Sequence, residues 1–131
     1  VKDLDVRVNE LGLRGRCCDQ IIVQLALEDR GEENEQMVEA VGALCLGLFD
    51  GLVCGALTGG ALAMAILAGG RPDGVLVAEL VDWFRHEYDM IDCDVASGGD
   101  PSVQFTRCPR MVAATYEEAR KILQIHGLLS D

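Results

Sequence analysis

The chain has 131 residues, half of them hydrophobic, and its 11 Lys and Arg against 22 Asp and Glu leave a net charge of −11. That length makes residues 1–131 one domain able to bury a core without staples, and the apolar content argues against disorder. So acidic a chain lacks the clustered cations that nucleic-acid phosphates and anionic membrane surfaces attract, so neither is an expected partner.

The pattern along the chain is helical. Leu4, Val6, Val8 and Leu11 fill the first segment until Gly12 and Gly15 end it. CCDQIIVQLALE (17–28) reads as a helix with Ile21, Ile22, Leu25 and Ala26 on one stripe. RGEENE (30–35) is a charged connection. Residues 35–48 then place Met37, Val38, Val41, Leu44, Cys45 and Leu48 at helical spacing.

GLVCGALTGGALAMAILAGG (51–70) carries no charge and reaches the roughly 20 residues of a membrane span. Its many glycines, Asp50 at one end and the lack of Trp/Tyr and Lys/Arg belts favour a buried central helix instead. Gly47, Gly51, Gly55 and Gly59 recur every four residues. On a helix they line one face, where a neighbouring helix or a second copy of the chain can approach closely.

Arg71-Pro72-Asp73 opens the next helix, with Asp73 at its N-terminus. Residues 75–88 carry Trp83, Phe84 and Tyr88, an aromatic group suited to a core or an interface. Residues 90–107 read as a long loop marked by Gly98, Gly99 and Pro101. The last helix is expected from Pro109 to His126, with a stripe of Cys108, Met111, Val112, Thr115, Ala119, Ile122, Leu123 and His126. Pro109 suits its first position and Gly127 the residue beyond its cap. No strand-like alternation competes. The expected fold is all-α, a compact bundle of five or six helices around a Gly-rich buried central one.

Six cysteines stand at 17, 18, 45, 54, 93 and 108. No basic stretch followed by an apolar run opens the sequence, so a reducing, cytoplasmic setting is expected, with thiols kept for chemistry or metal. No C-x-x-C occurs, which excludes a thioredoxin motif and a zinc ribbon; c-type haem attachment and ferredoxin spacings are absent too. No nucleophile elbow, Walker loop or dinucleotide fingerprint appears. His86 and His126 lie on separate helices and read as ordinary helix residues.

What remains is where the thiols sit. Cys108 precedes Pro109, Cys17 and Cys18 follow a Gly-rich break, and Cys54 begins the small-residue helix. All four are expected at helix starts, where unpaired N–H groups and the positive dipole end favour thiolates. Cys93 lies between Asp92 and Asp94, which raise its thiol pKa unless a cation is near. Cys45 falls on an apolar stripe and reads as an inert buried thiol.

LGLRGRCCDQ (11–20), ALCLGLFDGLVCGALTGGA (43–61), the Cys93 region and CPRMVAATYEEARKIL (108–123) together resemble the redox-active proteins named for the pattern C_GCAxxG_C_C. On this resemblance the four family cysteines fall on Cys18, Cys54, Cys93 and Cys108. Cys45 looks like a position shared by some members, and Cys17 looks extra. One departure is local: in Val53-Cys54-Gly55-Ala56-Leu57-Thr58-Gly59 the glycine follows the cysteine instead of preceding it. The resemblance implies a helical, cytoplasmic redox protein. It is similar to the helical module of split-Soret-type cytochromes, without the haem attachment site.

The expected function is therefore electron transfer by an iron–sulfur cluster on Cys18, Cys54, Cys93 and Cys108, serving a redox partner protein, with Cys45 and Cys17 as lesser ligand candidates. The alternative is a metal-free thiol–disulfide protein or sensor using the same residues. A zinc site, and an assembly protein that forms homodimers through the Gly-lined helix, stand behind these. No substrate pocket is identifiable, and no further catalytic residue is assigned.

Overall fold

Short polar side chains start three of the helices. The Asp3 carboxylate accepts from the Asp5 and Val6 amides at the head of α1 (Leu4–Leu13). Asn34 accepts from the Met37 amide to open α3 (Glu35–Val41). Asp73 accepts from Val75 and Leu76 to open α5 (Gly74–Tyr88), as the sequence predicts. Each bond satisfies an amide that the helix itself leaves unpaired, worth about 1 kcal/mol. Cysteines stand at the other two described N-caps, Cys17 before α2 (Cys18–Asp29) and Cys54 before α4 (Gly55–Leu67). The final helix, α6, runs Pro101–Ile125.

The computed structural model describes residues 3–71, 73–89, 91–92 and 101–129, with side chains from 108 onward in the last stretch. Among them there are six α-helices and no strand; Val53 and Asp92 form an isolated antiparallel bridge. No described helix is long and apolar enough to cross a membrane.

The central helix read over 51–70 is shorter, Gly55–Leu67, and the elements depart further from expectation in two places. The helix read over 35–48 stops at Val41, passes through a 3-10 turn at Gly42–Leu44, and breaks. Leu46, Gly47, Leu48, Phe49 and Gly51 all have positive φ, a region that only glycine enters without steric cost. Gly47 and Gly51 therefore belong to an irregular turn and not to the face carrying Gly55 and Gly59.

The last helix starts at Pro101, eight residues before the expected position, and Pro109 lies inside it. Residues 101–107 of the expected loop are helical, and Cys108 is mid-helix, so a helix start does not act on its thiol. An internal proline costs about 3 kcal/mol. Burial of Met111, Val112, Ala119, Ile122 and Leu123 on the same helix offsets it. Gly127, at φ +75°, ends the helix with Leu128 N–H donating to Leu123 O at 2.8 Å. Gly98 and Gly99 fall outside the described residues.

Helix α4 packs on α2, α5 and α6. Its glycines decide how close these neighbours come. A Cβ on Gly59 would lie 2.8 Å from Asp19 Cα, and one on Gly60 would lie 2.9 Å from Thr115 Cγ2 and 3.0 Å from Leu80 Cδ2. A Cβ on Gly55 would lie 3.4 Å from Cys18 Cβ, a tight but ordinary contact. Phe84, Leu80, Met111, Tyr116 and Leu123 complete the core around α4.

Polar ties close the ends. Arg7 on α1 forks onto both carboxylate oxygens of Glu28 on α2. The buried Tyr116 hydroxyl donates to Asp29, which also receives Arg120 Nη1 at 2.6 Å. Burial and the Asp29 carboxylate together hold the Tyr116 hydroxyl protonated far above its ordinary pKa.

The glycine contacts give opposite expectations for two similar changes. Gly59→Ala should destabilise the fold by about 1–3 kcal/mol, because backbone stands where the methyl must go. Gly55→Ala should stay within about 1 kcal/mol of the parent, since helix propensity favours alanine. Urea unfolding followed by circular dichroism checks both.

Candidate functional site

The candidate site grows from the first turn of α2. Gly15, at φ +89°, reverses the chain after α1. Cys17 is extended, and its N–H donates to Gln20 Oε1 at 3.1 Å. The same Gln20 side chain donates from Nε2 to Val38 O at 3.1 Å, fastening this turn to α3. Arg16 and Glu35 add an ion pair across the same junction. The 3-10 turn after α3 is thereby held against the start of α2.

That packing joins Cys17 to Cys45 in a disulfide, with Cα atoms 6.0 Å apart and a sequence separation of 28. Cys45 is buried and Cys17 half-buried. The reading of Cys45 as an inert thiol on a helix stripe is thus corrected. The helix has already ended, and Cys45 sits at the junction with the left-handed turn.

Asp19 completes the group. It is fully buried, with Oδ1 2.8 Å from Cys17 Sγ and 3.6 Å from Cys45 Sγ. Its Oδ2 is buried without a hydrogen-bond partner. Burial pushes its carboxyl pKa up to about 6, while the Gln20 and Asp19 backbone N–H groups pull the other way. The candidate ligand atoms of Cys17, Asp19 and Cys45 all lie within 4.8 Å of one another. Chemically, this is a two-electron couple beside a carboxylate. Once reduced, it is two sulfurs and an oxygen around a small space.

The sequence reading assigned Asp19 no role. The signal was present: Asp19, Ile22 and Ala26 share the inward stripe of α2, so a carboxylate stands where an apolar residue belongs.

The four cysteines expected to act together are placed as follows. Cys18 is the first residue of α2, half-buried against Gly55 of α4. Cys54 caps α4, is buried, and donates its N–H to Ile91 O at 2.7 Å. The bridge between Val53 and Asp92 lays residue 92 beside this cap. Cys93 follows directly in sequence but lies outside the described residues. Cys108 is half-buried within α6. Of the histidines, His126 pairs with Glu79 at 2.8 Å and His86 is exposed.

Asp19 sets a pH dependence. Its folded pKa is near 6 against an ordinary value of 3.8, so the folded state holds the extra proton between those values. The stability this group contributes is present in full below about pH 4 and is lost as pH rises through about 6. Asp19→Asn should remove that slope and stabilise the protein at pH 7 by a few kcal/mol, about 1.4 per pKa unit. Urea midpoints of both proteins from pH 4 to 7, disulfide intact, measure the difference.

The sequence model of the family described as "Putative redox-active protein (C_GCAxxG_C_C)" matches residues 16–122, a span that includes every cysteine. No curated protein and no solved structure matches the chain. The match covers most of the sequence and both helices that begin at cysteines. The chain belongs to the C_GCAxxG_C_C family.

Proposed function

We propose that the protein is a thiol–disulfide redox protein in which Cys17 and Cys45 exchange two electrons with a dithiol partner. The observation that carries this reading is the Cys17–Cys45 disulfide, seated at a helix start against Asp19. Cys17 is the more exposed residue of the pair, so a partner thiolate attacks its sulfur and Cys45 leaves as a thiolate that takes up a proton. The partner's second thiol then attacks the mixed disulfide and releases Cys17. One S–S bond breaks in the protein and one forms in the partner; two electrons and two protons pass to the protein. Positive charge at the start of α2 favours the Cys17 thiolate, and the Asp19 carboxylate beside it opposes that when ionised.

A second reading keeps the iron–sulfur expectation for Cys18, Cys54, Cys93 and Cys108. It is supported by the contact of Cys18 with Gly55 and by the bridge that lays residue 92 beside residue 53. Both Cys18 and Cys54 stand at helix starts that favour thiolate, and Cys18 packs on Gly55, the residue after Cys54. Thiolates are the ligands that such a cluster takes, and a bound cluster would supply one-electron transfer. The chain's own part is to present the thiolates and keep water from Cys54.

The two readings separate by cysteine. In glutathione buffers of graded redox potential, Cys17 and Cys45 should pass from disulfide to thiols together, as alkylation and mass spectrometry read it. Cys17→Ser and Cys45→Ser should each abolish that transition. Disulfide that persists under the most reducing buffer contradicts the thiol reading. For the cluster reading, anaerobic reconstitution should give visible absorption that survives Cys45→Ser and is lost in Cys18→Ser, Cys54→Ser and Cys108→Ser. A chain that takes up neither iron nor sulfide removes it.

A further inference from the structure

We infer that reduction of Cys17–Cys45 opens a metal site in which both thiolates and the Asp19 carboxylate bind a divalent cation of the zinc class. The inference rests on the reading that this pair is reducible, and it adds a ligand that the disulfide excludes.

Three observations support it. The ligand atoms of Cys17, Asp19 and Cys45 already lie within 4.8 Å of one another. Two sulfurs sharing a tetrahedral zinc at about 2.3 Å stand roughly 3.8 Å apart, so breaking the disulfide requires only a small separation of side chains. Independently, Asp19 is fully buried with Oδ2 unpartnered, although Oδ1 faces both sulfurs. A carboxylate enclosed with one oxygen lacking a donor costs free energy, and a cation bound at its other oxygen, Oδ1, between the thiolates offsets the cost of its buried charge. Three protein ligands leave a fourth position of a tetrahedral ion for water.

Two thiolates and one carboxylate form a mixed soft and hard donor set that suits zinc or cobalt better than magnesium or calcium. The balance is simple. The disulfide accepts two electrons and two protons from a dithiol, which becomes a disulfide. The cation then replaces the two thiol protons, which leave to water. Oxidation reverses this: the S–S bond forms, and the metal departs. Metal and disulfide therefore exclude one another at the same atoms.

The test uses the full chain, reduced anaerobically with a phosphine that is then removed, and Co(II) as the probe. One equivalent should give a near-ultraviolet thiolate-to-cobalt band and slow alkylation of Cys17 and Cys45 together. Asp19→Asn should weaken binding about tenfold or more, the range seen when a metal site loses a supporting group. Cys45→Ser should lose the equivalent, whereas Cys108→Ser keeps it. Circular dichroism confirms that each variant retains its helices. Reduced wild type that gains thiols at Cys17 and Cys45 but shows no protection overturns the metal site and leaves the redox reading intact. Binding that survives Cys45→Ser and is lost in Cys108→Ser also overturns it. A pair that cannot be reduced in the folded chain overturns both.

Discussion

The close approach of α2 to α4 governs everything at the site. Gly59 has Asp19 backbone where any larger residue would carry its side chain, and Gly55 meets Cys18 one turn away. Without this contact the first turn of α2 would stand off from the core, and Asp19 would reach water. Asp19 is instead enclosed, and enclosure makes its carboxyl a weak acid next to two sulfurs. A packing fact thus becomes an electrostatic fact, and the electrostatic fact bears on thiol chemistry.

A second constraint works from the other side. Gln20 bonds both the Cys17 amide and the Val38 carbonyl, so one side chain registers α2 against α3. The chain leaving α3 then turns through Cys45 into residues whose backbone is left-handed. Leu46, Leu48 and Phe49 carry that conformation with their side chains exposed, each at roughly 1–2 kcal/mol of backbone cost. The covalent tie of Cys45 to Cys17 anchors this turn at one end.

Much of the fold was legible because its signals are local. Asp73 and Gly127 mark helix ends through chemistry confined to one turn, and the stripe from Met111 to Leu123 repeats at helical spacing. Cys17, Cys18 and Cys54 stand at helix starts for the same reason. What failed depended on tertiary structure. The apolar spacing from Met37 to Leu48 continues past the point where the backbone leaves the helix, so periodicity overran the break. Pro109 reads as a first position because proline usually breaks helices, yet burial on α6 outweighs the lost bond. The Cys17–Cys45 pairing spans 28 residues and is set by the α2–α3 junction, which no spacing rule reports. Asp19 was readable only as an anomaly, a carboxylate on an inward stripe.

The family match spans every cysteine, but the structure divides them. Cys17 and Cys45 form one group with Asp19, while Cys18 and Cys54 lie across the α2–α4 contact. Adjacent residues 17 and 18 thus face two different neighbourhoods from the same helix start. The most direct test is a disulfide map of the chain purified without reductant, acid-quenched and alkylated before digestion. The account predicts a cross-linked peptide joining Cys17 to Cys45 that disappears with a dithiol and returns on reoxidation. Cys17 bonded to any other cysteine, or present only as a thiol throughout, would contradict it.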